Sequence, residues 1–178
     1  MTGVQTCALP IWKVGSEDAA GLIEGLYPRV FGALALYLAD DALAEDLAQE
    51  TMLRLWRDRS RISEVDHPDR WALRVAFNLA KSRWRRLGVE RRSHLHNGNQ
   101  APASDPADAL AVRAAVAELP PRQRAAIVLR YFNDLSVADA AQVMGCAEGT
   151  VKALTSQAIV NLRGALQFDF ETSEGDTT

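Results

Sequence analysis

Basic, amide and hydroxyl side chains are concentrated in one segment of the chain, residues 68–87. An apolar stripe at helical spacing predicts that this segment is a helix with one buried side; its members are Leu73, Ala76, Phe77, Ala80 and Trp84. The polar residues on the remaining surface, here called the basic stripe, are Arg74, Asn78, Lys81, Ser82, Arg85 and Arg86. Cations interleaved with aromatic rings and an amide can hold a phosphate backbone and unstacked bases. The alternative is an ordinary solvated basic helix face.

A helix-turn-helix pattern follows in the C-terminal part of the chain. Ser136 with Asp139 three residues later forms a capping-box-like start, Gly145 permits a tight turn, and a second helix begins at Glu148 or Gly149. In this motif the second helix brings its N-terminal residues to base edges in the major groove. The side chains expected at bases or backbone are Arg122, Arg124, Thr150, Val151, Lys152, Ala153, Ser156 and Gln157. The apolar pattern also assigns Val151 to the packing side, and a plain helical hairpin is the alternative.

The segment 41–58 carries a tryptophan on the polar side of a predicted helix. Its apolar stripe is Ala44, Leu47, Ala48, Thr51, Met52 and Leu55. The other side, here called the Trp56 face, carries Asp46, Gln49, Glu50, Leu53, Trp56 and Arg57. An exposed Trp beside a Leu indicates a partner site more often than chance would. The alternative is that Trp56 packs against the preceding helix.

The net charge of −3 conceals an uneven distribution. Residues 17–58 hold nine acidic residues and three arginines, a net charge of −6. Residues 70–92 hold eight basic residues and one acidic residue, a net charge of +7, and residues 168–178 hold four acids and no base. This division predicts one acidic face, one basic face and an acidic tail. The total charge is therefore no argument against binding nucleic acid.

Composition and residue types exclude several classes of protein. With 48% apolar and 24% charged residues, the chain of 178 residues is neither wholly disordered nor collagen-like. Cys7 and Cys146 cannot form a disulfide framework, and His94 and His96 lack further ligands, so we expect no metal and no cofactor. We also expect no enzymatic activity, because neither a phosphate-binding loop nor a nucleophile elbow is present. The longest apolar run, residues 30–39, is too short to span a membrane and no signal peptide is recognisable, so we expect a cytoplasmic protein.

Helical periodicity and breaker residues predict an all-α fold of two small domains joined by a linker. The first domain, residues 16–87, contains helices at 17–39, 41–58 and 68–87, with Pro28 kinking or dividing the first and Gly88 as a stop for the third. The linker spans residues 88–107. The second domain, residues 108–167, contains helices near 107–118, 121–133, 136–144 and 148–166. Residues 168–178 are predicted to be a disordered acidic tail, and residues 1–15 a foreign or disordered leader.

In this order, the segments resemble the extracytoplasmic-function (ECF) group of the sigma-70 family of bacterial RNA polymerase sigma factors. The stretch 46–56 resembles the helix of conserved region 2.2, which binds the clamp helices of the polymerase β′ subunit. The resemblance assigns this contact to Asp46, Gln49, Glu50, Met52 and Trp56. The basic stripe resembles the helix that binds the −10 promoter element, and residues 119–152 resemble region 4, which reads the −35 element.

The resemblance implies a sigma factor that binds core RNA polymerase and promoter DNA and directs transcription initiation. It also implies an anti-sigma factor as a further partner, and a loop at 59–67 that borders the melted −10 strand. Ser63, Asp66 and His67 are the candidates there for holding a flipped base. The chain departs from the family in having no basic residue between Lys152 and Arg163, which predicts weaker non-specific affinity for the −35 region.

Two other functions are consistent with the residues alone. One is a helix-turn-helix regulator that binds duplex DNA without polymerase and dimerises through its N-terminal helices. The other is an adaptor whose basic helix binds an acidic protein.

Overall fold

The computed structural model describes residues 18–62, 65–90 and 107–173, and every regular element in these ranges is helical. The helices are α1 (Asp18–Leu38), α2 (Asp41–Arg57), α3 (Arg59–Ile62), α4 (Pro68–Glu90), α5 (Ala107–Glu118), α6 (Pro121–Ile127), α7 (Val137–Met144) and α8 (Glu148–Ser173). A π-helical turn, Val128–Phe132, continues α6. The all-α fold of two helical domains is confirmed. The leader, most of the linker and the last five residues lie outside the described ranges.

The first domain is built by α1, α2 and α4, which pack together around an apolar core. The turn after α1 is closed by Asp40, whose carboxylate accepts a hydrogen bond from the Leu43 amide at 3.0 Å and so caps α2. Core side chains with almost no exposed surface come from all three helices: Leu34, Leu55 and Phe77. The backbone of α2 and α4 is thereby fixed, which sets the outward direction of their polar residues.

The second domain contains α5 to α8, with the predicted helix-turn-helix at α7 and α8. The Ser136 hydroxyl accepts from the Asp139 amide at 3.1 Å, which caps α7. Gly145 ends α7 in the left-handed conformation, with φ of 66°, as a tight turn between the two helices requires. Leu129 and Val151 are fully buried between the helices and hold the motif together.

The two domains pack directly on one another, and their apolar cores are continuous. Helix α1 contacts α5, α6 and the π-helical turn, while α4 contacts α7. Tyr37 stacks on Phe77 with ring centroids 4.7 Å apart and lies 5.0 Å from the Trp84 ring. These rings lie beside the contact with α6, because the backbone oxygen of Tyr37 accepts a hydrogen bond from Arg124.

Several details differ from the sequence-based expectations. Pro28 lies inside α1 without dividing it, and α4 continues through Gly88 to Glu90. Helix α8 reaches Ser173, past residue 168 where the tail was expected to begin. The short α3 and the π-helical turn were not predicted. None of the helices in the described ranges is long and apolar enough to cross a membrane.

Candidate functional site

The Trp56 face is exposed on α2 as its spacing predicts. Asp46 and Gln49 are exposed, Leu53 is 60% exposed and Trp56 is 45% exposed. The Arg59 guanidinium lies 5.0 Å from the centre of the Trp56 ring, so this ring packs against a cation at the surface. The alternative in which Trp56 is buried against α1 is therefore wrong.

Two of the other residues that the resemblance assigned to the polymerase contact, Glu50 and Met52, have neighbours within the protein. Glu50 is half-buried and forms an ion pair with Arg54, one helical turn away, at 2.6 Å. Met52 is half-buried and packs against the core of the first domain. Met52 therefore lies on the core side of α2, as its place in the apolar stripe indicates, and contributes little surface to a partner.

The basic stripe is divided between solvent and the second domain. Arg74, Asn78 and Arg85 are exposed and Ser82 is half-buried. Arg86 belongs to α4, and its side chain lies outside the described part of the structure. Arg74, Asn78, Ser82 and Arg85 form one solvent-accessible side of α4.

Lys81 lies on the side of the stripe that faces the second domain. Its Nζ donates to the backbone oxygen of Met144, at the end of α7, at 2.6 Å. Burial lowers the pKa of Lys81 and the nearby Arg122 and Arg85 lower it further, while Cys146 opposes them. Arg122 and Arg85 are exposed, so basic residues of both domains come together at this point.

A groove runs between α2 and α4 and joins the two candidate surfaces. Its volume is about 340 Å³. Asp46 and Glu50 line one wall and Asn78 and Ser82 the other. Residues assigned separately to a polymerase contact and to a −10 contact therefore border a single depression.

The exposed side of α8 carries most of the residues expected at the major groove. Lys152, Ala153, Ser156 and Gln157 are exposed, and Thr150 is half-buried. Gln157 takes part in a chain of amides, in which Asn161 donates to Gln123 at 2.8 Å and Gln123 donates to Gln157 at 3.5 Å. These amide contacts connect α8 to α6.

Two residues assigned to the DNA surface have to be corrected. Val151 has no exposed surface, because the turn at Gly145 directs that side of α8 into the core of the domain. Arg124 is only 8% exposed and donates to the backbone oxygens of Tyr37, Ala117 and Leu119. Its charge is thus used on carbonyl groups at helix ends, where a cation is favoured.

The residues that join the domains were missed by the sequence analysis. Arg29 of α1 forms an ion pair with Asp69 at 2.9 Å and donates to the Asn133 backbone oxygen at 2.6 Å. Arg70 of α4 forms an ion pair with Asp139 of α7 at 2.5 Å. No local pattern could have indicated these pairs, because the partners are separated by 104 residues for Arg29 and Asn133 and by 69 for Arg70 and Asp139.

The loop before α4 is described only in part. Asp66 and His67 are exposed, whereas Ser63 lies outside the described ranges. Within those ranges no group of three or more His, Cys, Asp or Glu residues could hold a metal ion.

Comparison with known proteins accounts for both halves of the chain. Residues 22–89 match the family model for sigma-70 region 2, and residues 109–162 match the model for sigma-70 region 4. The ECF RNA polymerase sigma factor SigL of Mycobacterium tuberculosis is 34% identical over 165 residues, covering 83% of this chain and 90% of that protein. The chain belongs to the ECF sigma factors of the sigma-70 family.

Other ECF sigma factors give the same result. SigC of Mycobacterium tuberculosis is 34% identical over 178 residues, covering 96% of this chain and 93% of that protein. In the co-crystal structure of the Bartonella quintana sigma factor RpoE with the anti-sigma factor NepR, the sigma factor is 25% identical, with a TM-score of 0.76 over 86% of this chain and 99% of that one. This ECF sigma factor accordingly binds core RNA polymerase and promoter DNA and acts in transcription initiation. The reading as a stand-alone regulator that dimerises is not supported.

Proposed function

We propose that the Trp56 face binds core polymerase and that the basic stripe, with the exposed side of α8, binds the promoter. The observation that carries this assignment is the groove between α2 and α4, which Asp46 and Glu50 border on one side and Asn78 and Ser82 on the other. A sigma factor must hold the polymerase and the −10 DNA at the same time. A single depression bordered by both residue sets suits that task.

The polymerase contact combines an apolar anchor with negative charge. Leu53 and Trp56, one helical turn apart, are exposed together with Asp46 and Gln49, and an apolar patch rimmed by polar groups is typical of a protein interface. Interfaces draw most of their affinity from a few such anchors, and the surrounding charges add orientation and association rate. The proposed partner of this face is the pair of clamp helices of the β′ subunit.

The −10 and −35 contacts differ in how they read DNA. Arg74 and Arg85 supply charge for the backbone, and Asn78 supplies an amide for an unstacked base. On α8, Lys152 is the only basic residue among residues 148–162. Uncharged side chains must therefore make most of the contacts that read the −35 element. Because Gln123 donates to the Gln157 oxygen, we expect the Gln157 amide to donate to an acceptor such as guanine O6 or thymine O4.

On this proposal, the protein catalyses no reaction itself and acts in the cytoplasm as a subunit of the polymerase. Strand opening is promoted by binding, since an unstacked base held in a pocket offsets part of the cost of melting. An anti-sigma factor is proposed as a further partner. The Bartonella quintana sigma factor, which was crystallised with the anti-sigma factor NepR, supports this because its fold matches along 86% of this chain.

The experiment that tests the polymerase surface is a titration of purified core polymerase with the fluorescently labelled full chain. Leu53→Ala is expected to weaken binding at least tenfold, because an interface anchor of this size contributes more than about 1.4 kcal/mol. Val112→Ala on α5, which removes another exposed apolar side chain, is the matched control and should bind like the wild type. Equal affinities for both variants would contradict the assignment of the face.

A further inference from the structure

Three uncharged amide side chains are linked across the junction of α6 and α8. The Nδ2 atom of Asn161 donates to Oε1 of Gln123 at 2.8 Å, and Nε2 of Gln123 donates to Oε1 of Gln157 at 3.5 Å. Asn161 and Gln157 are exposed on α8, four residues and therefore about one turn apart. Gln123 of α6 is half-buried and bridges them. These three residues are here called the amide row.

The amide row has a direction, because each member has a donor end and an acceptor end. A primary amide carries two N–H donors on its nitrogen and offers its oxygen as acceptor. Since the Gln157 oxygen is held by Gln123, the Gln157 NH2 group is the end that remains for a partner outside the row. If Gln123 alone turned over, its nitrogen would face the Asn161 nitrogen and its oxygen the Gln157 oxygen, so both hydrogen bonds would be lost. The three amides must therefore turn together.

Asn161 is the member of the amide row that determines the direction from outside the DNA-binding end of α8. A recognition helix brings its N-terminal residues to the bases, and α8 begins at Glu148. Gln157 follows the exposed Lys152 and Ser156, and Asn161 lies one turn further toward the C-terminus. Asn161 can thus act on a base through Gln123 without touching the base itself.

The direction of the amide row decides which bases Gln157 can bind. In the major groove, O6 of guanine and O4 of thymine are acceptors, whereas N6 of adenine and N4 of cytosine are donors. The NH2 end of an amide suits the two keto bases, guanine and thymine, and its oxygen suits the two amino bases, adenine and cytosine. Residues 148–162 contain no arginine that could compete with the amide for a base. Where DNA excludes water, a mismatched base would leave a polar group unpaired, at a considerable cost.

We propose that Asn161 is a positioning residue for the reading of the −35 element: acting through Gln123, it keeps the NH2 group of Gln157 toward the DNA and so selects a keto base at one position. This inference rests on the proposed assignment of the exposed side of α8 to the −35 element. It adds that the base preference is set by a residue that makes no base contact.

The test measures base preference with the holoenzyme formed by core polymerase and the full chain. The probe is a pool of duplex promoter DNAs, randomised over the −35 region, from which bound molecules are recovered and sequenced. Gln157→Ala identifies the position that Gln157 reads, because the preference should fall there alone. At this position the wild type should favour guanine and thymine over adenine and cytosine by at least about fivefold. A wild-type preference for adenine or cytosine would overturn the proposal.

Two variants reverse the amide row from different places. In Asn161→Asp the carboxylate can only accept, so Gln123 must turn its NH2 group to it and accept from Gln157. In Gln123→Glu the carboxylate accepts from both Asn161 and Gln157. Each variant leaves the Gln157 oxygen toward the DNA, so each is expected to invert the preference to adenine and cytosine, again by at least about fivefold.

A merely structural role of Asn161 would not produce an inversion, since loss of stability lowers binding to all sequences alike. Gln142→Glu adds the same negative charge at an exposed position of α7 outside the amide row, and it should keep the wild-type preference while binding all sequences more weakly. Inversion in both Asn161→Asp and Gln123→Glu would support the proposal. A retained keto preference in either variant, or a preference that is lost without inversion, would overturn it.

The proposed function can fail separately. If Gln157→Ala selects the same sequences as the wild type at every position of the −35 region, the assignment of Gln157 to the DNA is wrong, whatever the other variants do. If Gln157→Ala lowers the preference at one position while Asn161→Asp and Gln123→Glu leave it uninverted, Gln157 reads the DNA and only the control by Asn161 is wrong.

Discussion

The guanidinium of Arg124 and the backbone oxygen of Tyr37 are joined by a hydrogen bond of 3.0 Å that links α6 of the second domain to α1 of the first. The same guanidinium donates to the backbone oxygens of Leu119 and Ala117, so it binds carbonyl groups at the ends of α1 and α5. Its carbon lies 6.0 Å from the centre of the Trp84 ring. One buried cation therefore holds together α1, α4, α5 and α6.

Replacing Arg124 should destabilise the protein with little direct effect on DNA contacts. Arg124→Ala leaves three carbonyl groups without their donor, and we expect a loss of roughly 3 kcal/mol in the free energy of unfolding. Arg124→Lys should recover only part of it, because an ammonium group cannot reach all three oxygens in the geometry of a guanidinium. Urea unfolding measures both. The exposed Arg122→Ala is the matched control, and equal stability of the Arg122 and Arg124 variants would contradict the burial of Arg124.

Stability should fall in alkaline solution because of Tyr37. Burial raises the pKa of Tyr37, and the charge of Arg124 opposes this shift. The folded state thus holds the phenol proton more tightly than the unfolded chain, whose tyrosine ionises near pH 10. This stabilisation is complete below about pH 10 and is lost as the pH rises toward the higher folded pKa. Unfolding free energies at several pH values from 8 to 11 should decline less steeply for Tyr37→Phe; parallel curves would be evidence against a raised pKa.

Neighbouring positions on α8 should separate stability from DNA binding. Val151→Ala removes fully buried methyl groups and should cost about 2 kcal/mol of unfolding free energy. Lys152→Ala, one residue further and exposed, should leave stability unchanged and reduce the salt dependence of duplex binding by about one unit of slope. Chemical unfolding and duplex titrations at several salt concentrations distinguish the two. The division of α8 into core and DNA sides is refuted if Lys152→Ala is the destabilised variant.

Arg85, one of the exposed arginines of the basic stripe, should act on backbone phosphates. We expect Arg85→Ala to weaken binding of the polymerase holoenzyme to promoter DNA similarly for different −10 sequences, and to lower the salt slope by about one unit. Arg163→Ala, which removes an exposed arginine from α8 that is assigned to neither surface, is the control for net charge. The same slope for wild type and Arg85→Ala would mean that this arginine is not on a phosphate.

The helices could be predicted from the sequence because their signals are local. The carboxylate of Asp40 and the hydroxyl of Ser136 cap helices at positions that their residue types indicate, and Gly145 takes the left-handed conformation that glycine favours. The end of α4 was missed because Gly88 can also continue a helix at a modest cost. The π-helical turn of residues 128–132 has no signature in the local sequence. It packs on α1, which is distant along the chain.

The surfaces were predictable only where exposure follows from the helix period. Asp46 and Trp56 lie opposite the apolar stripe of α2 and are exposed. Arg124 and Lys81 have the residue types of DNA ligands, yet their partners come from distant parts of the chain that no spacing reveals. The apolar spacing assigned Val151 to the core, and its position in the helix-turn-helix assigned it to the DNA. The apolar spacing was the more reliable signal, because burial decides which way a side chain points.

The most direct measurement is transcription in a reconstituted system of core polymerase, the full chain and a cognate promoter. The wild type should initiate transcription. Trp56→Ala should lose at least tenfold in activity at limiting protein, because the proposed function makes the exposed ring an anchor for the polymerase. Excess Trp56→Ala should restore part of the activity, since promoter contacts are intact. Tight duplex binding by the wild type without core polymerase, together with no initiation when core is present, would contradict the account.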